Sequence, residues 1–130
     1  MALGWDLALA VASMELGIPV IAALPFEGFH SRWSPGTQQY WEAVLLACNR
    51  IHLICDKTNT NSSRWEIVNC LDRRNRWMVD EADKMAALWN GTRGGTYNCV
   101  AYATKKRVPI DNHWPFWLKS RFYLPGEQDG

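Results

Sequence analysis

A continuous apolar run, IPVIAALPF, occupies residues 18–26 and lies between Gly17 and Gly28. A run without alternation of apolar and polar residues is typical of a strand that is covered on both faces. Two further apolar runs, RIHLIC (50–55) and MAALW (85–89), are separated by segments with helical spacing. Because strands and helices alternate along the chain, we predict an α/β fold with a mostly parallel sheet and helices on both faces.

Helix signals flank these runs. Asp6 can cap a helix over residues 7–16, which Gly17 would end, and Ser34 followed by Pro35 is typical of the start of a second helix. The other predicted elements are a long polar loop, two helices and a short last strand, at residues 56–69, 70–84, 96–107 and 108–114.

The composition narrows the class of protein. A chain of 130 residues is long enough for one domain with a sizeable core. Its net charge of +1 argues against a general nucleic-acid binder, which would usually be strongly basic. No stretch reaches the length of a transmembrane helix. The chain has four cysteines, Cys48, Cys55, Cys70 and Cys99, which lack the CxxC spacing of a zinc site. This pattern favours reduced, buried thiols in a cytoplasmic protein over disulfides or a bound metal.

The segment WNGTRGGT (89–96) joins a predicted strand to a predicted helix through a glycine-rich turn. This arrangement directs free main-chain N–H groups and the positive end of the helix dipole at an anion. Gly91, Gly94 and Gly95 allow positive φ angles and close approach of a ligand, and Thr96 can cap the helix or donate its hydroxyl. The turn matches neither a Walker A motif nor GxGxxG, so an ordinary glycine turn is the alternative.

Three other segments carry candidate ligand-binding residues. Gly4 precedes the Asp6-capped helix and can form a second anion site, although Asp6 more often only caps its helix. Arginines lie near the predicted start of helix 70–84, where the positive end of the helix dipole makes cations unfavourable. A bound anion would account for their position, and a solvated charged face is the alternative. Phe26 and Glu27 follow the first strand, and Glu27 can bind a ribose hydroxyl or act as a base.

Four segments, in this order, resemble the SLOG superfamily: MALGWD, GIPVIAALPFEG, RRNRWMVDEADK and ALWNGTRGGTYNCVAYA. The branch most similar to them is the YpsA-like group of small bacterial and phage proteins of unknown function. The superfamily also includes the LOG cytokinin-activating phosphoribohydrolases, the DNA-processing protein A and nucleotide-sensing modules of bacterial defence systems. The resemblance covers residues 1–114, which are expected to form a nucleotide-binding domain, with residues 115–130 as an aromatic C-terminal tail.

The resemblance implies a Rossmann-like three-layer sandwich that binds nucleotides, or ligands derived from them, at two glycine-containing loops. Here these loops correspond to residues 2–4 and 91–96, and an Arg-Asn pair that opens a helix corresponds to Arg74 and Asn75. Together, the loops and the resemblance predict these ligand-binding residues: Gly4, Trp5, Asp6, Phe26, Glu27, Arg74, Asn75, Gly91, Thr92, Gly94, Gly95, Thr96 and Asn98.

This chain departs from the family in two ways. Relatives carry a β-α-β unit before the stretch that matches MALGWD, so we expect the uncovered sheet edge to be paired in a homo-oligomer. The phosphoribohydrolases carry a glutamate where Cys99 stands here, beside Asn98. Neither residue replaces a carboxylate in the hydrolysis of an N-glycosidic bond, which weakens the hydrolase interpretation.

Three hypotheses follow for function. The first is a sensor or sponge of phage or bacterial origin that binds a small nucleotide or ADP-ribose-derived ligand, with Trp5 or Trp33 stacking on a base. The second is a nucleoside-monophosphate phosphoribohydrolase that uses Glu27, and the third is an interaction protein without a pocket, whose aromatic tail forms an interface. We expect no cofactor, no metal, no membrane and no nucleic-acid partner, and a location in the cytoplasm, the host's if the protein is phage-encoded.

Overall fold

The computed structural model describes residues 5–56 and 62–121, where five helices alternate with four strands. All strand pairs are parallel, which confirms an α/β chain with parallel pairing. The chain divides into two compact units, Met1–Asn75 and Arg76–Gly130. In chain order the elements are α1 Trp5–Glu15, β1 Ile21–Phe26, α2 Pro35–Ala47, β2 Arg50–Cys55, α3 Arg64–Glu81, β3 Met85–Ala87, α4 Gly95–Lys105, β4 Ile110–Asn112 and α5 Trp114–Arg121.

The core of the first unit forms around β1. Its last five residues are all buried, as predicted for a strand that is covered on both faces. Apolar side chains of α1, β1 and α2 make one cluster, in which the Trp41 indole is 1% exposed. An indole of this size contributes a large share of the apolar area that a small domain can bury. The buried members of the cluster are Leu7, Ala10, Ala22, Leu24, Trp41 and Val44.

Two predicted helix boundaries in this unit are confirmed. Ser34 is the N-cap of α2, where its hydroxyl accepts a hydrogen bond from the N–H of Thr37, and Pro35 is the first helical residue. After α1, Gly17 has φ of +73°, and the N–H of Ile18 donates to the carbonyl of Ser13 at 2.8 Å. This is a Schellman ending, in which a glycine takes the left-handed conformation.

The prediction that β2 is a buried strand is wrong. Ile51 and Leu53 pair with Ala22 and Leu24 of β1, yet they are 47% and 38% exposed. The reason is that the core cluster of α1, β1 and α2 contains no residue of β2. The apolar run therefore identifies a strand, but one whose face is open within the described part of the chain.

The segment 56–69 is not a loop throughout, because α3 begins at Arg64. The hydroxyl of Ser63 accepts a hydrogen bond from the N–H of Glu66 at 3.3 Å, as expected at a helix start. Ser63 and Glu66 have the S-x-x-E spacing of a capping box, the signal that would have placed this start. At the other end of the unit, α1 begins at Trp5, so Asp6 lies inside its first turn and is not the N-cap.

The expectation of four reduced, buried thiols is also wrong. Cys55, at the end of β2, forms a disulfide with Cys70 of α3, and their Cα atoms are 6.1 Å apart. Because α3 begins at Arg64, Cys70 lies inside the helix and not at its start, and it is buried with Cys55 and Phe26. Cys48 and Cys99 take part in no disulfide, and both are only half-buried. Burial raises the pKa of the Cys48 thiol, which donates to the carbonyl of Val44 at 3.5 Å.

In the second unit, β3 and β4 form a short parallel pair in which Ala87 lies opposite Asn112. Helix α4 ends in the same hydrogen-bond pattern as α1, but the left-handed position is occupied by Arg107, with φ of 61°. The last strand ends at Asn112, and α5 takes up the first part of the predicted tail. Phe116 and Trp117 of α5 are exposed, and residues 122–130 lie outside the described residues.

Candidate functional site

A cavity of about 210 Å³ lies beyond the carboxyl ends of β3 and β4. Ligands of parallel α/β sheets bind at this edge, because the loops that follow the strands meet there. Most of its wall comes from the connection between β3 and α4, which contains the glycine-rich turn, and Trp114 adds an indole from the start of α5. The structure therefore brings Gly94, Gly95 and Thr96 to one cavity.

The connection begins in a fixed geometry because Asn112 holds it. The N–H of Trp89 donates to Asn112 Oδ1 at 3.0 Å, and Asn112 Nδ2 donates back to the carbonyl of Trp89 at 2.9 Å. The same Oδ1 accepts from the N–H of Trp114 at 3.2 Å. One side-chain amide thus ties together the two chain segments that leave the sheet, and the reciprocal bonds assign its oxygen and nitrogen. Asn112 was not among the residues predicted from the sequence.

The first half of the turn is closed by its own hydrogen bonds. Asn90 Oδ1 accepts from the N–H of Thr92 at 3.1 Å and from its hydroxyl at 2.6 Å, which makes an Asx turn. The indole N–H of Trp89 donates to the carbonyl of Thr92 at 2.8 Å. Gly91 has φ of 89°, a conformation that a side chain would make costly. The amide and hydroxyl of Thr92 are therefore engaged inside the turn.

The second half of the turn leaves donors open. Gly94 is the N-cap of α4, with φ of 153°, and having no side chain it makes no cap hydrogen bond. The first helical bond runs from the N–H of Asn98 to the carbonyl of Gly94 at 3.0 Å. Among the described residues, the N–H groups of Gly95, Thr96 and Tyr97 have no acceptor. Three main-chain donors therefore start α4 beside the cavity.

One prediction about this helix start is corrected by that geometry, and the ligand-binding role of Asn98 stays a prediction. Thr96 is not the cap, because α4 begins one residue earlier, at Gly95. Asn98 does not line the cavity, and its N–H is used in the helix.

The charge and the aromatic rings of the cavity suit an anion with an attached ring. Arg93 is the charged residue among those lining it, and its guanidinium lies 5.6 Å from the centre of the Tyr97 ring. The rings of Trp89 and Tyr97 are 6.0 Å apart and tilted at 46°. The positive end of the α4 dipole adds to the charge of Arg93. Arg93 was not among the predicted residues, although it lies between the predicted glycines.

The remaining predicted residues lie in the first unit, and Gly4 lies outside the described residues. Trp5 and Asp6 are half-buried in the first turn of α1, and Glu27 is exposed in the turn after β1. Phe26 is 3% exposed and belongs to an apolar cluster with Cys55 and Cys70.

Arg74 and Asn75 do not open a helix, because α3 begins ten residues before Arg74. The Nη2 of Arg74 donates to Asn75 Oδ1 at 3.3 Å within the helix. The idea that cations in a first helical turn call for a bound anion therefore no longer applies to this pair.

No protein-family model matches the chain. The chain is similar to the uncharacterized SPbeta prophage-derived protein YoqJ of Bacillus subtilis (strain 168), with 27% identity over 89 residues, which cover 65% of this chain and 52% of that protein. The chain spans about half the length of the curated relative that it matches. Within residues 5–56 and 62–121, no helix has the length and apolar character needed to cross a membrane.

Proposed function

We propose that the protein binds the phosphate of a small nucleotide or ADP-ribose-derived ligand at the start of α4. The observation that carries this proposal is the set of three main-chain N–H groups, from Gly95 to Tyr97, that have no acceptor among the described residues and adjoin a cavity. A phosphate supplies several acceptor oxygens and negative charge at once, and both match a helix N-terminus.

The energetics favour an anion over a neutral ligand. A hydrogen bond to a charged group contributes about 1.5–3 kcal/mol, roughly twice the contribution of a neutral one. The guanidinium of Arg93, which lies at the same cavity, adds attraction for a phosphate. Hydrogen bonds of Asn90, Thr92 and Asn112 already order the turn, so binding a ligand costs little further conformational entropy there.

The size of the cavity bears on the kind of ligand. Its volume of about 210 Å³ is below the range of about 300–1,000 Å³ that is usual for drug-sized ligands. We therefore assign the cavity to the phosphate and the sugar next to it, with the base reaching beyond. Trp89, Tyr97 and Trp114 offer ring faces for such a base.

The wider setting is proposed by analogy. The parallel strand pairs, and a cavity at the carboxyl ends of one of them, agree with the Rossmann-like SLOG sandwich that the sequence resembles. Similarity to a prophage-derived protein is in keeping with a sensor or sponge in phage or bacterial biology. Fold-level analogy supplies the class of ligand and not its identity.

Isothermal titration of the full chain tests the proposal. The panel contains AMP, ADP-ribose and cyclic ADP-ribose isomers, each compared with a matched compound that lacks phosphate, such as adenosine. We expect the phosphorylated compounds to bind at least about tenfold more tightly, since one charge-assisted hydrogen bond alone has that effect. If folded protein binds no member of the panel, the proposal in this form is excluded.

The same preparations separate binding from hydrolysis. Glu27 is exposed in the turn after β1, and Cys99 stands where hydrolase relatives carry a glutamate, so the proposed activity is binding without turnover. We expect no free base to accumulate when AMP is incubated with the protein. Release of base that is lost in Glu27→Gln would instead assign the protein to the phosphoribohydrolases.

A further inference from the structure

A second cavity, of about 240 Å³, lies in the first unit beyond the carboxyl end of β2. Both sulfur-bearing residues of the disulfide, Cys55 and Cys70, line it. Asp56, Glu66 and Arg73 supply charged side chains to the same wall. The bond is therefore buried within the protein but borders a space that a small molecule can enter.

One sulfur of the disulfide, Cys55 Sγ, lies against a positive charge. The Nη1 of Arg73 donates a hydrogen bond to Cys55 Sγ at 3.4 Å. A guanidinium next to a sulfur favours its thiolate form, and a thiolate that is stabilised in this way is the better leaving group in disulfide exchange. Asp56 and Glu66 line the cavity too, but it is the guanidinium that touches Cys55 Sγ.

We propose that the Cys55–Cys70 disulfide is an exchange site for low-molecular-weight thiols, with Cys55 as the leaving sulfur. The thiolate of an external thiol attacks Cys70 Sγ through the cavity and forms a mixed disulfide there. The bond between the two protein sulfurs breaks, and its electron pair stays on Cys55 Sγ as a thiolate against Arg73.

A second molecule of the external thiol completes the reduction. Its thiolate attacks the external sulfur of the mixed disulfide, and this step releases the oxidised external disulfide and the Cys70 thiolate, which takes up a proton from water. In total the protein disulfide gains two electrons and two external thiols lose them. The reverse sequence closes the bond again when the external disulfide is in excess.

The exchange changes how this unit is tied together. The disulfide joins the end of β2 to α3 across a sequence separation of 15 residues that includes the whole connection between them. Reduction removes this covalent tie between the end of β2 and α3. The inference does not depend on the nucleotide proposal, because all of its residues belong to the first unit.

The first test uses the unaltered chain and glutathione as the probe. The native protein is mixed with graded ratios of reduced and oxidised glutathione, quenched with iodoacetamide and mapped by mass spectrometry. We expect a glutathione adduct on Cys70 and the alkyl group on Cys55, with Cys48 as an internal reference outside the exchange. A bond that is reduced only after denaturation, or an adduct carried mainly by Cys55, overturns the proposal.

The second test isolates the guanidinium. Arg73→Gln removes the charge that touches the sulfur, and Arg64→Gln removes an exposed charge at the start of the same helix as a matched control. We expect the rate of reduction by glutathione to fall about tenfold in Arg73→Gln and to stay within about twofold of the original in Arg64→Gln. Equal rates in the two variants refute the role of Arg73, and Arg73→Lys, which keeps a positive charge, should retain most of the rate.

Discussion

Replacing Gly95 by proline removes one of the three open N–H donors without adding a new polar group. Proline is favoured at the first position of a helix, and Gly95 occupies that position in α4. Gly95 does not adopt a positive φ angle, so its backbone conformation does not require glycine. A Cβ atom at this position meets no other atom within 4 Å. The preceding residue, Gly94, has φ of 153° and ψ of −163°, and this ψ lies far from the helical values that a following proline disfavours.

The expected effect on binding follows from the lost hydrogen bond. A bond from an N–H to a phosphate oxygen contributes about 1.5–3 kcal/mol, so Gly95→Pro should weaken the affinity for ADP-ribose about 10- to 150-fold. The fold should not suffer, because proline at a compatible position raises the free energy of unfolding by about 0.4–1 kcal/mol. Binding and stability are thus expected to change in opposite directions.

Gly95→Ala is the matched control, since it adds the same Cβ and keeps the N–H. Isothermal titration of both variants with ADP-ribose, together with urea unfolding followed by circular dichroism, separates the two effects. Any crowding of the ligand by the Cβ is common to both variants, so the ratio of their affinities reports the donor. Affinities that agree within about twofold would refute the role assigned to the Gly95 N–H.

Other features give further expectations. Asn112→Ala should lower the free energy of unfolding by about 1–3 kcal/mol and weaken ligand binding, because it leaves the main-chain N–H and C=O of Trp89 unpaired. Urea unfolding measures the first effect and isothermal titration the second, and unchanged values would contradict the role assigned to Asn112. Arg107→Gly should raise the free energy of unfolding by about 1 kcal/mol, because glycine takes the left-handed conformation more readily; the same unfolding assay detects a loss if the arginine side chain matters more. The hydrogen bond to Asp80, helped by desolvation, raises the pKa of Tyr102, so the contribution of this bond to stability is lost as pH rises through that pKa. Asp80→Asn should lower the pKa of Tyr102 measured by ultraviolet titration, and an unchanged pKa would show that Asp80 does not raise it. The open face of β2 should support self-association that Ile51→Lys weakens, and a monomer at every concentration in sedimentation equilibrium would contradict this.

Local signals predicted the parts of the fold that depend on neighbours in sequence. Ser34 and Pro35 fixed the start of α2, and β2 occupies the predicted residues 50–55, because caps and apolar runs act over a few positions. The start of α3 was missed because a polar segment hid the capping spacing of Ser63 and Glu66. Exposure of β2 was missed because a run of apolar residues does not reveal which helices cover it.

In the candidate site, too, local features could be predicted and long-range contacts could not. The turn between β3 and α4 could be identified from its glycines, since their backbone freedom is a local property. Asn112 could not, because it acts on Trp89 across 23 positions and only the pairing of β3 with β4 brings them together. The Cys55–Cys70 disulfide was missed for a similar reason: the register of α3 against the end of β2 decides it, and cysteine spacing does not.

Gly94 caps α4 without a side chain, and this has a consequence for how binding at the start of α4 can be altered. The donors there are atoms that every amino acid except proline possesses, so most single substitutions would leave them in place. Selectivity among ligands would instead rest on the rings around the cavity, which can be exchanged without touching the anchor. Sulfate or phosphate in a buffer should compete for the same amides, and affinities measured in such buffers would come out too weak.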